Sequence, residues 1–116
     1  MSITDIKDVE IGMGATKVMW TDRQPYEVVG FKGKKTVVLR AMDAELDPSW
    51  KPEAVVGGFS AVTVNNHSQK WVLKSNENNM TVNVRYSTSK SKVKGWYSDG
   101  QRFSIGKAVK FYDYNF

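Results

Sequence analysis

Met80-Thr81-Val82-Asn83-Val84-Arg85-Tyr86 alternates throughout, apolar at 80, 82, 84 and 86 and polar between. Successive side chains of an extended chain point to opposite faces, so this stretch reads as a strand with one row in a core and the other in water. The same reasoning predicts strands over Thr16 to Trp20, Tyr26 to Phe31, Thr36 to Met42, Phe59 to Val64, Trp71 to Lys74, Phe103 to Ile105 and Val109 to Tyr112, each rich in β-branched or aromatic residues. Between them stand Asp22-Arg23-Gln24-Pro25, Lys32-Gly33-Lys34, Asn65-Asn66-His67-Ser68, Asn76-Glu77-Asn78-Asn79 and Ser98-Asp99-Gly100. These supply the positive or preset φ at which hairpins reverse. Helix is expected in two places only: Ser2 to Val9, and a turn at Asp47-Pro48-Ser49-Trp50 that Asp47 would cap and Pro52 would end.

Eight short strands at close spacing predict an all-β fold: a single domain over residues 1–116, a small antiparallel barrel, SH3-like with additional strands. The order of strand, short loop, strand, tight Lys-Gly-Lys turn and long strand suits such a barrel, and a sandwich is the alternative. At 116 residues, with 41% hydrophobic and 12% aromatic against 25% charged residues, the composition is globular. A chain of this size hides about two thirds of its unfolded surface on folding. The lack of cysteine excludes disulfides and thiolate metal sites. The N-terminus has neither the basic start nor the apolar run of a signal peptide, and no apolar run approaches the ~18–20 residues of a membrane-spanning helix. The expectation is a cytoplasmic protein with no membrane partner.

Charge is uneven. Residues 1–66 carry 8 Lys/Arg against 9 Asp/Glu, whereas residues 67–116 carry 9 against 3, within an overall net charge of +5. A basic C-terminal half suits an acidic partner such as nucleic acid.

Catalytic equipment is sparse. A phosphate-binding glycine loop needs Gly-x-Gly-x-x-Gly opening a helix, or a Gly-Lys-Ser/Thr ending. Gly12-Met13-Gly14 has neither and leads into the strand-like Lys17-Val18-Met19-Trp20, so its glycines are expected to permit a bend or bulge. The lone histidine, His67, sits in a polar turn with nothing nearby to orient its ring. Asp43, Glu45 and Asp47 alternate and would share one side of an extended chain, a donor set for a hard cation such as Mg²⁺, yet acids ahead of a proline-containing loop are ordinarily just solvated. The prediction is no enzyme, no cofactor and no metal.

Both ends of the chain carry a recognisable pattern: Gly12-Met13-Gly14-Ala15-Thr16, Trp20-x-Asp22-Arg23 and Tyr26-x-Val28-Val29 near the start, then Phe103-Ser104-Ile105-Gly106 and Phe111-Tyr112-Asp113-Tyr114-Asn115-Phe116. It resembles a group of small, functionally unassigned proteins of tailed phages and prophages; residues 43–94 carry no match. The resemblance implies a phage origin and a bacterial host cytoplasm or virion, and is compatible with an SH3-like barrel. The group has no known active site, so it lends no functional residue.

Two sets of candidate binding residues remain. In Ser89-Lys90-Ser91-Lys92-Val93-Lys94-Gly95-Trp96-Tyr97 the lysines would line one face if extended, meeting phosphates, while Trp96 or Tyr97 would stack on an unpaired base. Lys32, Lys34 and Lys35 crown a hairpin and would add to that surface. Alternating lysines also protect edge strands, and Trp96 would equally serve a core. The aromatic tail, Phe111, Tyr112, Tyr114 and Phe116, either docks as a closing strand or anchors another protein. The expected function is an accessory binding module for nucleic acid; the alternative is a protein-interaction module, such as an inhibitor of a host defence or replication protein or a minor virion component.

Overall fold

The computed structural model describes residues 3–51, 54–57, 60–63 and 68–112, with 54–57 and 60–63 described by their backbone. Among these, ten strands succeed one another in chain order: β1 Gly14–Val18, β2 Arg23–Lys32, β3 Thr36–Ala41, β4 Asp43–Leu46, β5 Ala54–Gly57, β6 Ser60–Thr63, β7 Trp71–Lys74, β8 Thr81–Ser87, β9 Gly95–Ser98 and β10 Gln101–Gly106. Six close a barrel in the order β1-β10-β9-β8-β3-β2, with every neighbouring pair antiparallel. The continuous ladder decides for a barrel over a sandwich. Along the chain it is a meander interrupted once, between β3 and β8, where residues 42–80 leave the wall and return. Within that excursion β4 pairs with β7 and β5 with β6, a nested double ribbon that we term the arm.

Alternation explains the barrel core. Ala15, Tyr26, Val28, Val37, Leu39, Val84, Trp96, Phe103 and Ile105 are all buried, and the register sets several of them opposite one another: Ala15 across from Tyr26 and Ile105, Val28 across from Leu39, Val37 across from Val84. Full burial of a Leu, Ile or Val side chain contributes about 1.5–3 kcal/mol. Tyr26 and Phe103 meet edge to face with ring centroids 5.1 Å apart, and burial pushes the Tyr26 hydroxyl pKa up. A bulge between Val28 and Gly30 bends β2 around the closing wall. Asp99 and Gly100, both at positive φ, make the two-residue reversal from β9 to β10 that their sequence suggests.

Several elements differ from expectation. The N-terminal helix is a single 3₁₀ turn, Ile6–Asp8, capped by the Asp5 carboxylate. Ile3, Ile6, Val9 and Met13 pack on the barrel core, and the Trp96 indole donates to the carbonyl of Ile3 at 2.8 Å, so this segment plugs one end of the barrel. Asp47 caps as expected, accepting from the Ser49 N–H at 2.9 Å, but the capped segment is one turn closed by Trp50 N–H on the Asp47 carbonyl rather than a helix. Met80 stands before β8 and is 67% exposed, outside the core row it was expected to join. Val109 to Tyr112 is not a strand. Its only ladder contact among the described residues is a bridge between Phe111 and Arg23, their N–H groups and carbonyls exchanged at 2.9 and 3.0 Å.

That final segment is a strap. Thr16, buried in β1, donates its hydroxyl to the Lys107 carbonyl at 2.7 Å and accepts from the Val109 N–H at 3.0 Å. The opening glycines now have separate roles. Gly12 sits at φ +96°, and a Cβ on Gly14 would overlap the backbone nitrogen of Ala108. The bend expected at this stretch is there, and Gly14 also lets the strap lie close against β1.

Candidate nucleic-acid interface

Register decides where the lysines meet. Lys32 pairs with Thr36, and Thr36 with Arg85, so the β2–β3 turn carrying Lys34 and Lys35 lies at the barrel end where β8 finishes. Ser87 pairs with Gly95, so the β8–β9 loop, residues 88–94, leaves the same end. Two lysine groups more than fifty positions apart in sequence thereby reach one barrel end, and Lys32, Lys34, Lys35, Arg85, Lys90, Lys92 and Lys94 are all exposed there.

The 88–94 loop is not the extended strand that the Ser-Lys alternation suggests. Serines brace it: Ser87 Oγ accepts from the Ser89 N–H at 3.3 Å, and the hydroxyls of Ser89 and Ser91 are hydrogen bonded at 2.9 Å. Lys90, between them, stands exposed. Neither the single lysine face nor the protected edge strand describes this loop, because short polar side chains bind the local backbone and favour turns over ladders.

The expected stacking residues also change. Trp96 is 1% exposed, packs edge to face on Tyr86 and belongs to the core, so it offers no face to a base. Tyr97 is half-buried; the Lys92 ammonium lies 4.2 Å from its ring centroid, and its hydroxyl donates to the Val93 carbonyl. Tyr97 thus holds Lys92 and the loop in place. The aromatic left bare at this end is Phe31. It pairs with Val37 on the interior row, but at the barrel rim, where it is 42% exposed beside Lys32. Sequence reasoning read Phe31 only as the end of a strand and weighed no binding role for it, although its place directly before a Lys-Gly-Lys turn puts it at the rim. Arg85 was missed because it is the outward residue of a strand read for its inward row.

A cleft of about 390 Å³ opens at this end between the N-terminal plug and β8, lined by Thr4, Asp5, Lys35, Arg85, Tyr86 and Trp96 among others. The carboxylate in its wall, Asp5, is met by Lys7 at 3.7 Å.

The acidic trio does not assemble. Alternation along β4 sets Asp43 and Glu45 on one side, but each carboxylate is already engaged: Asp43 accepts from Asn79 and Asn76, each at 2.8 Å, and Glu45 pairs with Lys74 at 4.0 Å. Asp47 lies past the strand and caps its own turn. Hydrogen bonds from Asn79 and then Asn76 hold the Asp43 carboxyl below the ordinary 3.8, and those from Ser49 hold Asp47 below it too. Among the described residues no group of three or more His, Asp or Glu is arranged to hold a metal ion.

Phe111 is half-buried against β2, and Tyr112 is 47% exposed and tied to the arm, its N–H donating to Gln69 Oε1 at 3.0 Å and its carbonyl accepting from Gln69 Nε2. Tyr114, Phe116 and His67 lie outside the described residues. At the opposite barrel end, Trp20 occupies the β1–β2 turn and is 92% exposed, although it was expected to end a strand. No helix among the described residues is long and apolar enough to cross a membrane. Comparisons with protein-family models, with curated proteins and with solved structures found no match.

Proposed function

We propose that this chain is a non-catalytic, phage-encoded binding module that contacts nucleic acid through the plugged end of its barrel. The observation that carries the reading is the convergence of Lys32, Lys34, Lys35, Arg85, Lys90, Lys92 and Lys94 at one barrel end. Lysines meet phosphates and release counterions, and Phe31 at the rim supplies a ring on which an unpaired base stacks. Flexible lysines position a backbone without reading base edges, which favours low sequence preference. The resemblance of both chain ends to small tailed-phage proteins supports action in a bacterial cytoplasm or a virion.

Fluorescence anisotropy against labelled single-stranded DNA, duplex DNA and RNA over a salt series tests this. Six lysine–phosphate contacts on a single strand give a slope of log K against log salt of about −4, and a Lys90/Lys92/Lys94 triple alanine variant reduces that slope by about 2. Salt-independent binding, or none at low salt, overturns the reading.

A second reading, a protein-interaction module, is favoured by one observation. Trp20 is 92% exposed next to the Arg23–Phe111 bridge, and Tyr112 is 47% exposed further along the strap. Exposed aromatics are what protein interfaces bury at their centres. Loss of an isolated host or phage partner on Trp20→Ala, with nucleic-acid affinity unchanged, would favour it.

A further inference from the structure

Strand register draws a line from the basic barrel end onto the outer wall. Lys32 pairs with Thr36, Thr36 with Arg85, Arg85 with Tyr97 and Tyr97 with Arg102. Residues in register point to one face, and the interior neighbours of this row are the buried Val37, Val84, Trp96 and Phe103, so the row faces outward. Four inter-strand steps of ~4.8 Å make it about 19 Å long. The chain has four arginines, and two are spent inside the fold. Arg23 donates to the carbonyls of Met19 and Asp22, each at 2.8 Å, and Arg40 pairs with Glu27 at 2.8 Å. The other two, Arg85 and Arg102, make no hydrogen bond or ion pair among the described residues, and they flank Tyr97 in the row. Arg102 is seated with care. Its side chain lies over Gly95, where an added Cβ would stand 2.9 Å from its Nε, and that Nε is shielded from water without a partner. An unsatisfied buried donor is costly, so the seat calls for an explanation. Gly95 opens β9 opposite Ser87, so the guanidinium leans towards the lysine loop 88–94.

We infer that a nucleic-acid strand bound at the barrel end continues along this row, its backbone phosphates clamped by Arg102 and Arg85 on either side of Tyr97. The inference rests on the nucleic-acid reading above and adds to it a path and a second kind of contact. A guanidinium is a planar fork of donors that meets two oxygens of one phosphate, whereas a lysine meets it as a point charge. With Nε covered, Arg102 presents the fork formed by its two terminal nitrogens. Lys92, 4.2 Å from the centroid of the Tyr97 ring, brings a third cation to the same place. No carboxylate pairs with any of the three among the described residues. Three cations without a counterion suit a polyanion, and two forks fixed on strands suit its regularly spaced phosphates.

Anisotropy with labelled single-stranded DNA over a salt series separates the fork from the charge. Arg102→Lys keeps the charge and loses the fork, so affinity is expected to fall about fivefold at every salt concentration while the slope of log K against log salt stays as in the parent. Arg102→Gln loses both, with affinity down about tenfold and the slope shallower by about 0.7. Arg85→Lys, at an exposed site whose change leaves the fold intact, repeats the parallel loss of Arg102→Lys. Lys70→Gln on the arm removes the same charge as Arg102→Gln and stays within about twofold of the parent. Thermal melting of each variant should match the parent, and the Arg102 Nε–H resonance should shift when DNA is added. Parent-like affinity in both Arg102→Lys and Arg85→Lys overturns the clamp, and leaves the barrel-end reading standing if the Lys90/Lys92/Lys94 variant still loses binding. Equal losses in Arg102→Gln and Lys70→Gln also overturn it. A parent that binds no DNA at low salt overturns both the clamp and the reading beneath it.

Discussion

Each barrel strand has two hydrogen-bonded neighbours, while each arm strand has one among the described residues. The difference extends to charge. Residues 42–80 carry 3 Lys/Arg against 5 Asp/Glu, and the rest of the chain 14 against 7. It extends to packing as well. Ten buried residues form the barrel core, whereas Trp50 is buried apart from them, its indole donating to Ser68 Oγ at 3.0 Å. The arm is held to the barrel by polar bonds, Ser75 to Glu27, Asn79 to the Ala41 carbonyl, and Gln69 to the strap. Closure by apolar packing and latching by hydrogen bonds differ in strength and in pH dependence, and each can be broken separately.

The largest effect belongs to the barrel. Leu39→Ala, at a site with no solvent exposure, destabilises by about 2–5 kcal/mol in chemical denaturation, while Val72→Ala on the half-exposed β7 changes stability by under about 0.5 kcal/mol. Equal losses would contradict the division. The strap comes next. Gly14→Ala forces the Ala108 backbone away from β1 and is expected to lose about 1–3 kcal/mol, as is Thr16→Val, which strands the Lys107 carbonyl and the Val109 N–H. Hydrogen exchange at Val109 should accelerate in both variants and core exchange should not.

The smallest effect sharpens the contrast through pH. Asn79 and Asn76 hydrogen bonds depress the Asp43 pKa in the folded state, so this clasp across the base of the arm is fully formed above the unfolded value of 3.8 and is lost as pH falls through the lower folded value. Side-chain amide resonances of Asn76 and Asn79 should titrate together with a midpoint below 3.8, and Asp43→Asn should abolish the titration. A midpoint at or above 3.8 would mean that these bonds do not stabilise the folded base of the arm.

The barrel was more legible than the arm, for a physical reason. In Met80 to Tyr86 the alternation is produced by a wall with core on one side, and β8 lies where that pattern predicts. β4 also alternates, as Asp-Ala-Glu-Leu, but none of its side chains is buried, and its pattern reads as a cluster of acids. β9 is short and begins with a glycine, so it carries no period at all. The lysine convergence was illegible because it depends on register between strands distant in sequence. Trp96 was ambiguous because an aromatic after lysines reads equally as platform or core, and its burial against Tyr86 with its bond to Ile3 decides.

If the barrel end, and not charge in general, meets nucleic acid, then position must matter at constant charge loss. Anisotropy with labelled single-stranded DNA should compare three triple alanine variants: Lys32/Lys34/Lys35, Lys90/Lys92/Lys94, and the arm lysines Lys51/Lys70/Lys74. Affinity is expected to fall about tenfold or more for each barrel-end variant and to stay within about twofold of the parent for the arm variant. Equal losses in all three would refute a barrel-end site, leaving net charge as the whole of the interaction.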